Sequence, residues 1–232
     1  MNKDINNSFT DNSVTKTATD AAATPQDLKG LDALSHYLKS SSSTRQGREI
    51  PPLDKWHPED SADMDLVIKA NGEWWHEGTK VTRESLVSLF ATVLWKEEKE
   101  GVTEYFLKTP VQKLRIQVED APFLITDIGI VTEKDINWLE FTTTTGDVVR
   151  LDDAHPITLQ SYQSSDDSDD SEVESEAQVR PYMPVRNGLT ALIGRNTFYH
   201  LTEIGELAEQ NGATILTLQS GGKSYSISML SS

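Results

Sequence analysis

The chain has 232 residues, no cysteine, and 37 acidic against 21 basic residues, for a net charge of −16. That length suits one or two domains with a real hydrophobic core. The charge argues against nucleic-acid backbones and anionic membranes as general partners, and the lack of cysteine excludes disulfides, thiolate zinc sites and cysteine nucleophiles, which suits a cytoplasmic protein. No run of about 18 apolar residues is present to span a membrane, and the opening MNKDINNSFTDNSVTK lacks the apolar core of a secretory signal.

Residues 1–25 are mostly Asn, Ser, Thr, Asp and Ala. They carry too little apolar surface to offset ordering entropy, so a disordered tail is predicted. Residues 26–49 read as an amphipathic helix and a linker, with Leu28, Leu31, Leu34 and Leu38 at helical spacing and Ser-rich sequence after them.

An N-terminal α+β domain is expected over residues 50–120. Trp56 and His57 precede Pro58, which favours extended backbone. Residues 64–70 alternate, Asn71-Gly72 supplies a hairpin turn, and residues 73–76 return as its partner. Thr82 is the expected N-cap of a helix carrying Leu86, Leu89, Phe90, Val93 and Leu94 and running through KEEKE to Gly101. A strand at residues 105–107 leads into TPVQKLRIQVEDAPF, residues 109–123. There Leu114, Ile116 and Val118 share one strand face, while Lys113, Arg115, Gln117 and Glu119 share the other. Pro122 disfavours continuing the strand, so a seam between two units is placed here.

A C-terminal α+β domain is expected over residues 121–230. Strands are predicted at 123–131, 136–143, 147–151, 157–162 and 182–186. Asn187-Gly188 precedes Leu189 to Ile193, read as a helical turn. Asn196 then caps a helix with Phe198, Leu201, Ile204 and Ala208 on one side, and a last hairpin turns at Gly221-Gly222. Residues 164–178 read as an acidic disordered insertion with seven carboxylates and no basic residue.

Four stretches, WHPEDSADMDLVIKANGEWWHEGTKV, TPVQKLRIQVEDAPF, VRNGLTALIGRNTFYHL and SGGKSYSI, resemble in order the motifs of a bacterial family known only as domain of unknown function 1285. The resemblance spans roughly residues 50–230. It implies two related α+β domains, the C-terminal one resembling a pleckstrin-homology-like barrel, a ligand site at their interface for a nucleotide-like molecule, and a signalling role. No activity comes with it. The chain departs from the pattern in its acidic tract, its long polar tail, and Ser61 and Ala62 where relatives carry Cys and Gly.

No catalytic signature is present. Gly222-Lys223-Ser224 has the end of a phosphate-binding loop, but Thr217 stands where its first glycine belongs and a strand pattern follows where a helix is needed. No Gly-x-Ser-x-Gly elbow occurs. His57, Asp60, Asp63 and Asp65 are the densest set of oxygen and nitrogen ligands. Their spacing fits neither an EF-hand nor a zinc helix, and turn-capping is the ordinary use of such Asp residues. Lys113, Arg115 and Arg186 are the cations placed to receive an anion, the last beside the expected helical turn at Gly188. Pairing with nearby carboxylates is the competing use in so acidic a chain. Trp56 offers a stacking face, His57 lies beside it, and Asp120 is placed to orient the cations.

The reading is a non-enzymatic protein that binds a small anionic, nucleotide-like ligand at the domain interface through Lys113, Arg115, Arg186, Trp56, His57 and Asp120, with no cofactor or metal. The alternatives are a protein–protein interaction module, and a metal-dependent hydrolase built on His57, Asp63 and Asp65.

Overall fold

Alternating apolar and polar residues build two six-stranded sheets of one design. The structure, a computed structural model, describes residue 28 and residues 30–41, 49–163 and 178–230. The predicted tail 1–25 and the acidic stretch 164–177 lie outside the described residues. In the first sheet, β1 (Asp60–Ile68), β2 (Trp74–His76) and β3 (Thr79–Lys80) form one meander, and β4 (Leu94–Lys99), β5 (Val102–Lys108) and β6 (Gln112–Val118) form another. A parallel β1–β6 pair joins them, giving the order β3-β2-β1-β6-β5-β4. The second sheet contains β7 (Phe123–Glu133), β8 (Ile136–Thr143), β9 (Val148–Arg150), β10 (Thr158–Tyr162), β11 (Gln178–Arg186) and β12 (Leu189–Ile193). Its order is β9-β8-β7-β12-β11-β10, joined by a parallel β7–β12 pair. Strand for strand, this is the same plan.

Parallel neighbours cannot be linked by a tight hairpin, so each sheet needs a crossover. In the first, the crossover carries helix α2 (Glu84–Ala91). In the second, residues 151–157 make the link, and helix α3 (Arg195–Ile204) follows β12 instead. A third sheet of β13 (Glu206–Gln210), β14 (Ala213–Ser220) and β15 (Lys223–Leu230) packs on β8. The protein is thus two-domain, α+β and mostly sheet. Strand pairing closes neither six-stranded sheet into a barrel among the described residues, so the pleckstrin-homology-like form is not confirmed.

Leu86 and Phe90 of α2 are buried in one core with Leu107, Leu114 and Ile116 of β5 and β6. Helix α1 (Leu31–Ser41) packs on α2 and buries Leu34 and Leu38, with Leu28 just before it. Each fully buried leucine contributes about 1.5–3 kcal/mol of transfer free energy.

Three expectations are corrected. Helix α2 is capped by Arg83, not Thr82, and ends at Ala91; LWKEEK is a strand. Glu100 (φ 52°) and Gly101 (φ 81°) both adopt left-handed backbone, which turns β4 into β5 as a hairpin. The stretch alternates as well as it repeats at helical spacing, and pairing with β5 decides the outcome. Residues Leu189–Ile193 form β12, with Asn187 (φ 51°) and Gly188 (φ 73°) as the hairpin turn, so the expected helical-turn amides are absent there. Helix α3 is capped by Gly194 and stops at Gly205, so Ala208 lies on β13.

The β14–β15 turn fastens the third sheet. Gly221 N–H donates to the Asn137 carbonyl at 2.9 Å. Ser220 Oγ accepts from Leu139 N–H at 3.1 Å and donates to the Leu151 carbonyl at 2.7 Å. Gly221 has φ +63°, and a Cβ there would meet the Trp138 ring at 2.4 Å. Gly221→Ala is therefore expected to lower stability by about 1–3 kcal/mol, read as a lower urea midpoint; an unchanged midpoint would contradict this packing.

Candidate functional site

Strand β6 sends its side chains two ways. Leu114 and Ile116 are buried in the core, while Lys113 and Arg115 project from the opposite, outer face. Backbone pairing extends that face across four strands, with Asp63, Arg115, Phe106 and Trp95 in successive cross-strand positions. One step along are Ser61, Lys113 and Lys108. The β5–β6 turn fixes this register: Thr109 N–H donates to the Gln112 carbonyl at 2.9 Å, and Gln112 N–H donates to Thr109 Oγ1 at 3.0 Å.

Among the described residues, Arg115 and Lys113 on this face have carboxylate partners, whereas Lys99, which shares the face, and Lys108 have no ion pair. Arg115 Nε donates to Asp63 at 2.7 Å and Nη1 to Glu104 at 3.0 Å; these partners raise the guanidinium pKa further. Lys113 Nζ donates to Glu97 at 2.7 Å and lies 4.7 Å from the Phe106 ring centre. Lys108 is the buried one of the two without an ion pair. It is only 5% exposed, its ammonium sits 3.9 Å from the Trp95 ring centre, and it has no ion-pair partner among the described residues. Burial pushes its pKa down, with Glu97 and Asp54 pulling the other way and Lys113 adding to the depression.

A groove of about 380 Å³ on this face is lined by Asp63, Glu97, Phe106, Lys113 and Arg115, among others. A second, of about 420 Å³, opens where β5 and β6 diverge beyond the Tyr105–Ile116 pair and runs to Glu119. No C-terminal-domain residue lines either groove. The expected placement of Lys113 and Arg115 in an interface cleft is corrected on that ground: they stand on an ion-paired face of the N-terminal sheet.

Arg186 and Asp120 do lie where the domains meet. Arg186 Nε donates to Asp147 at 2.9 Å and Nη2 to the Ala91 carbonyl at 2.5 Å, so it bridges the β8–β9 turn and the C-terminus of α2. The guanidinium is also 5.0 Å from the Phe123 ring centre, and its Nη1 is buried without a partner. Asp120 accepts from Arg180 Nη1 at 2.7 Å and from Tyr182 Oη at 2.6 Å. Its neighbour Glu119 turns the other way, accepting from Lys69 Nζ at 2.5 Å and Ala70 N–H at 3.0 Å. Trp56 packs partly buried against the core and His57 is exposed; neither lines the grooves described.

The structure therefore brings Lys113 and Arg115 together and separates them from Arg186, Asp120, Trp56 and His57. Among the described residues, no three His, Asp or Glu side chains are grouped to hold a metal ion, so the structure does not bring His57, Asp60, Asp63 and Asp65 together as a ligand set. Asp63 serves Arg115, and His76 Nδ1 donates to the Asp65 carbonyl at 2.6 Å. Sequence reasoning missed Lys108. Its signal was the tight Thr109-Pro110 turn, which places Lys108 opposite Lys113.

Two sheets of one design, joined by a pinned linker, define a two-domain α+β protein whose outer N-terminal face carries the candidate site. The family model "Domain of unknown function (DUF1285), N-terminal domain" matches residues 51–121, and "Protein of unknown function (DUF1285), C-terminal domain" matches residues 122–227. The chain belongs to the DUF1285 family. It is similar to the crystal structure of a DUF1285 family protein from Silicibacter pomeroyi DSS-3, with 30% identity and TM-score 0.62 over 84% of this chain and 94% of that one. It also matches a DUF1285 family protein from Shewanella baltica OS155, with 29% identity and TM-score 0.40 over 60% of this chain and 91% of that one. No curated protein matches. No helix among the described residues is long and apolar enough to cross a membrane.

Two stability predictions follow from the seam. Arg186→Ala leaves Asp147 buried without its cation and is expected to cost about 3–5 kcal/mol, measured by urea unfolding; a loss below about 1 kcal/mol would contradict the pairing. At Glu119, burial raises the carboxyl pKa, but Lys69 and the Ala70 N–H outweigh it and the net shift is downward from 4.5. A lowered folded-state pKa stabilises above the unfolded value, and that stability is lost as pH falls through the folded value. Glu119→Gln is expected to flatten the acid limb of stability measured from about pH 6 to about pH 3; an acid limb as steep as wild type would contradict this.

Proposed function

We propose that the protein is a non-enzymatic binding protein that holds a small anionic, nucleotide-like molecule on the outer face of its N-terminal sheet. The observation that carries this reading is the pair Lys113 and Arg115, adjacent in one groove with Phe106 beside them. Their carboxylate partners are no obstacle in principle. Arg115 is half exposed and Asp63 more so, and exposed ion pairs contribute only about 0–1 kcal/mol. A phosphate brings more charge and more acceptor oxygens than one carboxylate, so it can replace Glu97 or Glu104 at the same cations. In this reading Arg186 and Asp120 serve the seam, not the ligand.

A second reading, a protein–protein interaction surface, is favoured by a separate observation. Among the described residues, seven of the eight exposed large apolar side chains belong to the C-terminal domain, and Ile130, Val131 and Ile136 flank the β7–β8 turn. The two readings combine into a signalling role if a partner on that domain responds to ligand on the other.

A thermal-shift series with nucleoside mono-, di- and triphosphates tests the first reading. Stabilisation at millimolar concentration is expected for the native chain and should be lost in Lys113→Ala and Arg115→Ala. A response to none of them would contradict it. For the second reading, Ile130→Asp with Ile136→Asp should abolish capture of any partner that the native chain retains; undiminished capture would overturn it.

A further inference from the structure

We infer that Lys108, together with Lys113, forms a subsite for a phosphate group. The inference rests on the anion-binding reading above and names the chemistry that this end of the face recognises. Its starting point is a mismatch in charge. The chain carries 37 carboxylates, yet none of those on the described residues forms an ion pair with the buried Lys108.

Lys108 and Lys113 are directly opposed across the β5–β6 ladder. Like charges in that position destabilise a sheet pair. Lys113 is relieved by Glu97 at 2.7 Å. Lys108 is not relieved: its exposure is 5%, and its one close polar contact besides the strand ladder is the face of Trp95. A cation–π contact is worth about 0.5–2 kcal/mol, and it leaves the ammonium without a counter-charge among the described residues. Asp54 and Glu97 act on Lys108 only at a distance. An anion seated between the two ammonium groups would supply the missing counter-charge and relieve the cross-strand repulsion together.

The donors also define the class of anion. Lysine ammonium groups are compact point charges with three rotatable donors, suited to phosphate oxygens and not to the planar bidentate geometry that arginine selects. One face of Trp95 is already covered by Lys108, so the subsite recognises charge and not a stacked ring. A phosphate group is therefore the expected ligand chemistry, either free or as the charged end of an organic phosphate.

The test titrates the full chain with inorganic phosphate, and separately with AMP, against chloride at matched ionic strength. Thermal shift and the NMR titration of the Lys108 side chain are the readouts. Phosphate is expected to raise the Lys108 pKa and the melting temperature. Lys108→Met should weaken the response roughly tenfold or more, while Lys223→Met, an equal charge loss in the other domain, should retain it. A response to AMP but not to phosphate assigns the subsite to an organic phosphate. The NMR readout needs no variant, so a Lys108→Met chain that fails to fold leaves the test intact. A Lys108 titration unchanged by phosphate and AMP alike overturns the subsite. An undiminished response in Lys108→Met does so too. If Arg115→Ala still abolishes nucleotide binding, the broader reading survives that failure; if no nucleotide binds, it falls as well.

Discussion

The architecture depends most on one buried ion pair, Arg186 with Asp147, and its reach to the carbonyl of Ala91. Asp147 is anchored within its own domain: it accepts from Thr145 Oγ1 at 3.1 Å, and its N–H donates to Thr143 Oγ1 at 2.9 Å. Arg186 converts that local arrangement into a domain contact, because its second donor meets the last residue of α2. A cation at a helix C-terminus complements both the free carbonyl and the helix dipole. One side chain thus satisfies a carboxylate in one domain and a helix end in the other.

The linker repeats this logic with two adjacent carboxylates. Glu119 binds back to Lys69 and Ala70 at the end of the first domain's sheet, while Asp120 binds forward to Arg180 and Tyr182 on β11. The Asn71-Gly72 turn adds close contact, since a Cβ on Gly72 would meet Leu124 at 2.9 Å. The polar groups at the seam are largely committed to one another. Cations with weaker commitments lie elsewhere, on the solvent face of β4, β5, β6 and β1. A sheet covered by a helix on one side leaves the other side polar, and here that polar side carries Lys108, a charge the described structure leaves without a counter-ion.

Much of this was legible in the sequence because β6 alternates cleanly. Leu114 and Ile116 are inward and Arg115 outward, as their period of two requires. The Asn71-Gly72 and Gly221-Gly222 turns were equally plain. Misread segments were those in which local pattern permits two answers. LWKEEK suits a helix end or an edge strand, and LTALI suits a helical turn or a buried strand; pairing with β5 and with β7 and β11 settles them. The candidate site was half legible. Lys113 and Arg115 could be placed on one face, but which carboxylates would reach them depends on strands 16 and 52 residues away in sequence. Arg186 read as an anion receptor because Asp147, 39 residues earlier, gives no local sign of meeting it.

The central claim is that an anion docks on the outer face of the N-terminal sheet and not in the seam. Backbone-amide NMR during a phosphate titration tests this most directly. The account predicts that the shifted amides map to Trp95, Phe106, Lys108, Lys113 and their strand neighbours. Shifts concentrated instead at Ala91, Asp120, Asp147 and Arg186 would contradict it.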